Sequence, residues 1–243
     1  MIPGGRSRIR YDKNGKYIKY RNKLVKGIGI CDLPTSDEFG NRLKSNVVWM
    51  SLFSRAPTTT GYLDAVKNPT YVDVSIDPRW HKYSGFVPWF DEHYREGFAL
   101  DKDLRVSGNK VYGPDTCAFV PQYINNLTLD RARYRGEFPV GVTYNKRQNS
   151  FAAQLNVFKQ HVGLGYFDNP EDASYVYLLA KSRHIRFVAE TAFDLDHIDE
   201  EVYAGLVRYA DGLKPKRRKL VRSHHNSRPR SSHADFFAYL FND

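Results

Sequence analysis

The sequence predicts an α+β protein, with a first module of short strands and helices followed by a three-stranded antiparallel sheet packed on one helix. Three observations carry that expectation. Residues 27–126 alternate short apolar runs with Pro, Gly and Asp, the punctuation of brief elements joined by turns. Residues 140–167 break into three strand-sized segments rich in β-branched and aromatic residues. The segment after them carries Ala173, Val176, Tyr177 and Ala180, the i, i+3, i+4, i+7 spacing of a helix with one buried stripe.

In the first module, "SNVVWMSLFSRA" places Val47, Val48, Met50, Leu52 and Phe53 as an amphipathic helix beginning after Ser45. "TYVDVSIDPRW" alternates Tyr71, Val72, Val74 and Ile76 as a strand does and stops at Asp77-Pro78. "FVPWFDEHYREGF" puts Pro88 in the first turn of a helix, with Trp89, Phe90 and Tyr94 on its buried face and Gly97 ending it. "LDKDLRVSGNKVYGPDTCAFVP", residues 100–121, reads as a short strand carrying two carboxylates, a Gly108-Asn109 turn and then a helix start.

In the second module, the first strand runs near 140–146 and turns at "RQNS"; "FAAQLNVF" and "HVGLGYF" are the second and third. Asp168 and Asn169 cap the helix that follows. Pro170 stands in its first turn, and Glu171 and Asp172 complement its positive end. "DHIDEEVYAGLVRYADGL" predicts a further helix ended by Gly212. The expected divisions are a basic arm at 1–26, the first module at 27–130, the sheet module at 135–185, a helical extension at 186–213, and a basic, then apolar, tail at 214–243.

Charge narrows the partners. The formal net charge is +10, concentrated at two places: residues 6–26 hold nine Lys or Arg against Asp12, and residues 214–230 hold eight with no acid. Such blocks attract a polyanion through counterion release, and nucleic acid is the expected partner. No apolar run approaches the roughly 20 residues of a membrane span, and the N-terminus lacks the apolar segment of a signal peptide, so an intracellular, membrane-free protein is expected. Cys31 and Cys117 lack the spacing of a zinc site and read as two free thiols. The last ten residues, "ADFFAYLFND", either fold back on the core or meet a protein partner.

From about 139 to 184 the chain resembles the ethylene-response-factor DNA-binding domain, on "GV" before a basic strand, "FAAQL", "LGYFDNPEDA" and the helix "ASYVYLLAK". The resemblance implies a sheet lying in the major groove of double-stranded DNA. Its open face would then carry Tyr144, Lys146, Arg147, Gln154 and Asn156, with Lys159 and His161 near the second turn. Gln and Asn suit adenine and Arg suits guanine. Phe151 and Ala152 replace the family's usual Trp and Arg, which implies a different or weaker sequence preference.

Residues 40–126 resemble phage HNH (homing-type) endonucleases, on "VVWMSLFSRA", "PTYVDVSIDPRWHKYSGFVPWF" and above all "LDKDLRVSGNKVYGPDTCAFVPQYINNL". That resemblance implies a strand-loop-strand-helix module cutting duplex DNA with Mg²⁺ or another divalent cation, in the cytoplasm of a bacterial host cell. Asp101 and Asp103 would hold the metal, Asn109 would orient one of them, and Lys102 stands where the family has its histidine base. His93, or His81, would supply a base from elsewhere in the fold. Each residue has a second reading. The carboxylates pair with Arg105 or Lys110, Asn109 serves its own turn, and the frame holds DNA without cutting it.

Overall fold

A computed structural model describes residues 22–56, 73–129, 137–158 and 160–213. The expected α+β architecture is observed. The chain divides into two compact units with the boundary between Val120 and Pro121, earlier than the boundary at 130 expected from sequence. The basic arm up to residue 21, Tyr71 and Val72, Lys159 and the tail from 214 lie outside the described residues.

In the first unit, β1 (Lys23–Val25) and β2 (Gly29–Cys31) form an antiparallel hairpin. They are followed by α1 (Lys44–Arg55), β3 (Ser75–Ile76), a 3-10 turn over Pro78–Trp80 and α2 (Tyr83–His93). β4 (Phe98–Asp101), β5 (Val111–Tyr112) and β6 (Ala118–Pro121) complete it. β3 pairs in parallel with β5, and β4 pairs with β6.

The core of this unit is aromatic. Trp49, Phe53, Trp80, Tyr83 and Phe86 are each at most 2% exposed. Burying such rings requires partners for their polar atoms. The Trp49 indole N–H donates to the Trp80 carbonyl at 2.8 Å, and the Tyr83 hydroxyl meets Ser45 Oγ at 2.6 Å.

Helix α2 corrects one expectation. Pro88 lies inside the helix rather than in its first turn. The helix starts earlier because Asp32 binds its first turn, accepting from the Ser84 amide at 2.9 Å and the Ser84 hydroxyl at 2.6 Å. Pro88 is exposed, on the side of α2 away from the buried Phe86, Trp89 and Phe90. There its missing N–H opens the ladder toward solvent instead of the core. The end also moves: Tyr94 closes α2, and Gly97 (φ +81°) belongs to the turn before β4.

The second unit begins with α3 (Gln122–Leu127) and continues with β7 (Val142–Asn145), β8 (Ser150–Val157) and β9 (Gln160–Phe167). These strands form an antiparallel meander in the order β7-β8-β9. Helix α4 (Pro170–Asp194) covers one face, burying Ala173, Val176, Tyr177 and Ala180 against Val142, Ala153, Leu155, Val162, Leu164 and Phe167. Asn169 caps it, accepting from the Asp172 amide at 2.8 Å.

Gly141 (φ +76°) is needed where β7 meets that helix. A Cβ there would lie 2.0 Å from the Tyr177 ring. Helix α4 does not stop near 185: Ile185, Val188, Ala189 and Ala192 prolong the buried stripe to the end of the helix. Helix α5 (Glu200–Gly212), capped by Asp199, packs on that extension, with Ser182 Oγ donating to the Ala210 carbonyl at 2.7 Å and Arg186 paired with Asp211. No helix among the described residues is long and apolar enough to cross a membrane.

Candidate functional site

The residues expected to carry chemistry stand in the loop between β4 and β5. Strand β4 ends at Asp101, so Asp103 occupies a turn and does not sit two positions along a strand from it. Asp101 Oδ1 makes that turn by accepting the amides of Asp103 at 2.8 Å and Leu104 at 2.9 Å. Burial pushes the Asp101 carboxyl above the ordinary range, partly offset by these two hydrogen bonds.

Lys102 is buried, with its side chain only 7% exposed. Its ammonium donates to the Asp103 carboxylate and to the Asn109 carbonyl at 3.0 Å, and lies 5.9 Å from the Tyr112 ring centre. A buried ammonium needs such partners, and here they come from the loop itself. Asn109 closes the structure from the other side. Its amide donates to the carbonyls of Lys102 and Val111, each at 2.7 Å, and its Oδ1 accepts the Val111 amide at 3.0 Å. Thr116 Oγ1 adds a bond to the Val111 carbonyl at 2.8 Å.

The histidines are engaged as well. His93 Nδ1 meets the Trp89 carbonyl at 2.8 Å, with its ring stacked on the Trp89 ring at 4.6 Å. His81 Nε2 meets the Ile76 carbonyl at 2.9 Å. Burial pushes the Cys117 thiol up to about 12, so it remains protonated.

A divalent cation of the Mg²⁺ type requires several oxygen ligands gathered around it. Asp101 uses one oxygen to form the turn, and Asp103 neutralises Lys102. Among the described residues no group of three or more His, Cys, Asp and Glu side chains is placed to hold a metal ion. Both carboxylates of this loop are thus engaged within the loop itself.

The sheet differs. Its face away from α4 presents Thr143 from β7, Gln154 and Asn156 from β8, and His161 from β9, all exposed, with Tyr166 half-buried beside them. Asn156 stands directly across from His161, and Gln154 across from Gly163.

This alignment depends on a bulge between Ala153 and Gln154 in the β8–β9 pairing. Before it Phe151 faces Phe167; beyond it the register slips by one, so Leu164 and Val162 turn to the helix while Gly163 and His161 turn outward. Gly165, at φ +131°, supplies the backbone conformation that the slip requires.

The remaining expected contacts divide. Lys146 and Arg147 are exposed in the β7–β8 turn, which Asn145 holds by accepting the amides of Arg147 at 3.1 Å and Gln148 at 3.3 Å. Tyr144 does not share the open face. It lies in register with Phe151 and Phe167 on the helix side, with its ring 5.2 Å from Phe151 and 6.3 Å from Phe138. Lys159 falls outside the described residues. Thr143 and Tyr166 join the face without having been singled out from sequence; strict alternation with Val142 and Phe167 was the available signal.

The chain matches no described protein family, no curated protein and no solved structure.

Proposed function

We propose that this protein binds duplex DNA through the open face of the β7–β9 sheet, and that residues 101–112 hold the first unit together rather than cut the bound strand. The observation that carries the reading is the row of Gln154, Asn156 and His161. These polar side chains are exposed on a regular sheet whose other face is covered by α4. A twisted strand pair of this size suits the major groove, and side chains projecting from it meet base edges.

Lys146 and Arg147, at one end of the sheet, are placed to meet phosphates. The net charge of +10 supplies the sequence-independent part of the affinity. Support for holding over cutting comes from the loop, where Asp101, Lys102, Asp103 and Asn109 are engaged with one another and with the local backbone. The alternative, suggested by the resemblance to phage HNH endonucleases, is a nuclease using this loop with Mg²⁺.

Two assays decide between them. In fluorescence anisotropy with a labelled duplex, Lys146→Ala combined with Arg147→Ala should weaken binding to all sequences alike and lower the log-log salt slope by roughly 2. An unchanged slope removes the turn from the interface. In a supercoiled-plasmid assay with Mg²⁺ or Mn²⁺, the wild type, Asp101→Ala and Asp103→Ala should all leave the plasmid intact. Nicking by the wild type that both substitutions abolish would establish the nuclease instead.

A further inference from the structure

The chemistry of the sheet's open face goes beyond binding in general. Building on the duplex-binding reading above, we infer that this face selects A·T base pairs, with Gln154 and Asn156 as its specificity-determining residues, each reading an adenine and the two adenines lying two base-pair steps apart.

Charged residues are missing from the strands. β7 is Val-Thr-Tyr-Asn, β8 is Ser-Phe-Ala-Ala-Gln-Leu-Asn-Val and β9 is Gln-His-Val-Gly-Leu-Gly-Tyr-Phe. None of these positions is Lys, Arg, Asp or Glu. In the major groove guanine offers two acceptors, N7 and O6, and its good partner is a doubly donating Arg or Lys. Cytosine offers a donor, which a carboxylate accepts. The strands carry neither kind of group. Adenine offers one acceptor, N7, beside one donor, N6, and a carboxamide matches that pair with its own donor and acceptor. Gln154 and Asn156 are the carboxamides on the open face.

Their amides are also available. Neither side chain makes a hydrogen bond among the described residues, whereas Asn145 and Asn149, at the β7–β8 turn, are engaged with their neighbours. Gly163, across from Gln154, leaves space beside it: a Cβ built there meets nothing within 4 Å. A base edge can approach Gln154 from that side. His161 stands across from Asn156, within the roughly 5 Å of a cross-strand pair, and can contact the same or the adjacent base.

Spacing supplies the pattern. Residues two apart on one face of a strand are separated by about 6.8 Å. With the strand lying along the groove, this matches two steps of about 3.4 Å. The basic residues of the turn, Lys146 and Arg147, lie beyond the end of β7 and anchor the backbone without contributing to base choice at these two positions.

The test is selection of binding sites from a randomised duplex pool by the full chain, followed by anisotropy on single-substitution duplexes at fixed salt. Selected sites should contain adenines two positions apart. Replacing either by a G·C pair should weaken binding by about five- to hundredfold. Gln154→Ala should erase the preference at one of the two positions and Asn156→Ala at the other. Gln154→Arg should convert the first preference from adenine to guanine. Circular dichroism of each variant checks that the sheet is intact.

Binding that persists with no enrichment, with G·C enrichment, or with profiles unmoved by both alanine variants overturns the A·T inference and leaves duplex binding in place. Absence of wild-type binding to every duplex, even at low salt, overturns the duplex-binding reading and this inference with it.

Discussion

The loop from Asp101 to Val111 and the open face of the β7–β9 sheet are both rich in polar side chains, yet they direct those groups in opposite ways. In the loop, Lys102 is buried and Asn109 half-buried, and with the Asp101 carboxylate they make hydrogen bonds to the backbone of the same segment, Lys102 also donating to the Asp103 carboxylate. On the sheet, Gln154, Asn156 and His161 project from a regular element whose shape is set by packing on the other side. A polar group already satisfied by its own chain must lose those bonds before it can act on a ligand, at about 1–3 kcal/mol for each buried group left unpaired. An exposed group on a rigid sheet exchanges only water. Residue type alone does not separate a site from a scaffold; what each polar atom already touches does.

The sharpest way to break this comparison is Asn109→Ala. It removes the Asn109 partner of the Val111 amide and of the Lys102 carbonyl, leaving the Val111 carbonyl with Thr116 alone, and unfolding in urea should show a loss of about 3 kcal/mol. Duplex affinity measured well below the unfolding transition should not change. A drop in affinity with the fold intact would return this loop to the interface.

An effect of similar size is expected behind the sheet. Burial lowers the His184 imidazole from 6.5 to about 4, with the Lys181 charge as a lesser cause. The unfolded histidine binds a proton through that range and the folded one does not. Stability is therefore full above the ordinary value and lost as pH falls from there toward 4, by about 3 kcal/mol. In His184→Phe this part of the pH dependence of thermal unfolding should disappear. A slope that persists would place its origin in another group.

Gly165→Ala addresses the sheet directly. A side chain at φ +131° should cost about 1 to 2 kcal/mol and disturb the register that turns His161 outward, so selectivity among duplexes should fall along with stability. Loss of stability with full selectivity would show that the bulge does not serve recognition.

Asp101→Asn should have less effect than any of these. Its folded-state carboxyl is raised by burial, so the ionised form is disfavoured in the native protein and stability declines as pH rises through and above about 4. An asparagine retains an oxygen for the Asp103 and Leu104 amides and removes that decline. Comparing the pH profiles of the two proteins in chemical denaturation checks the sign. The smallest change in stability should be that of Gln154→Ala, within about 0.5 kcal/mol, since this side chain supports nothing in the fold. A larger loss would end the contrast between the two regions.

Much of the second unit could be read from residues close to one another in the chain. The alternation of Gln154, Leu155, Asn156 and Val157 assigns the faces of β8, and Asn169, Pro170 and the stripe from Ala173 to Ala180 mark the helix that covers it. Even the bulge leaves a trace: Leu164 and Phe167, three apart, are both buried, which strict alternation forbids. The first unit was less legible. Asp32 reaches Ser84 across 52 positions to begin α2, and no local pattern around Pro88 reveals a partner so distant.

The sequence by itself determined the α+β class, the three strands and the caps of the helix on them, because β-propensity, turn residues and helix periodicity act within a few residues. It also determined which residue types were available for chemistry. Only the tertiary structure decided their employment: that Lys102 is buried against its own loop, that Tyr144 packs on the helix side, and that a slipped register sets His161 beside Asn156. The reason is that burial and hydrogen-bond partnership are properties of where chain segments meet, and those meetings carry no signature in the spacing of neighbouring residues.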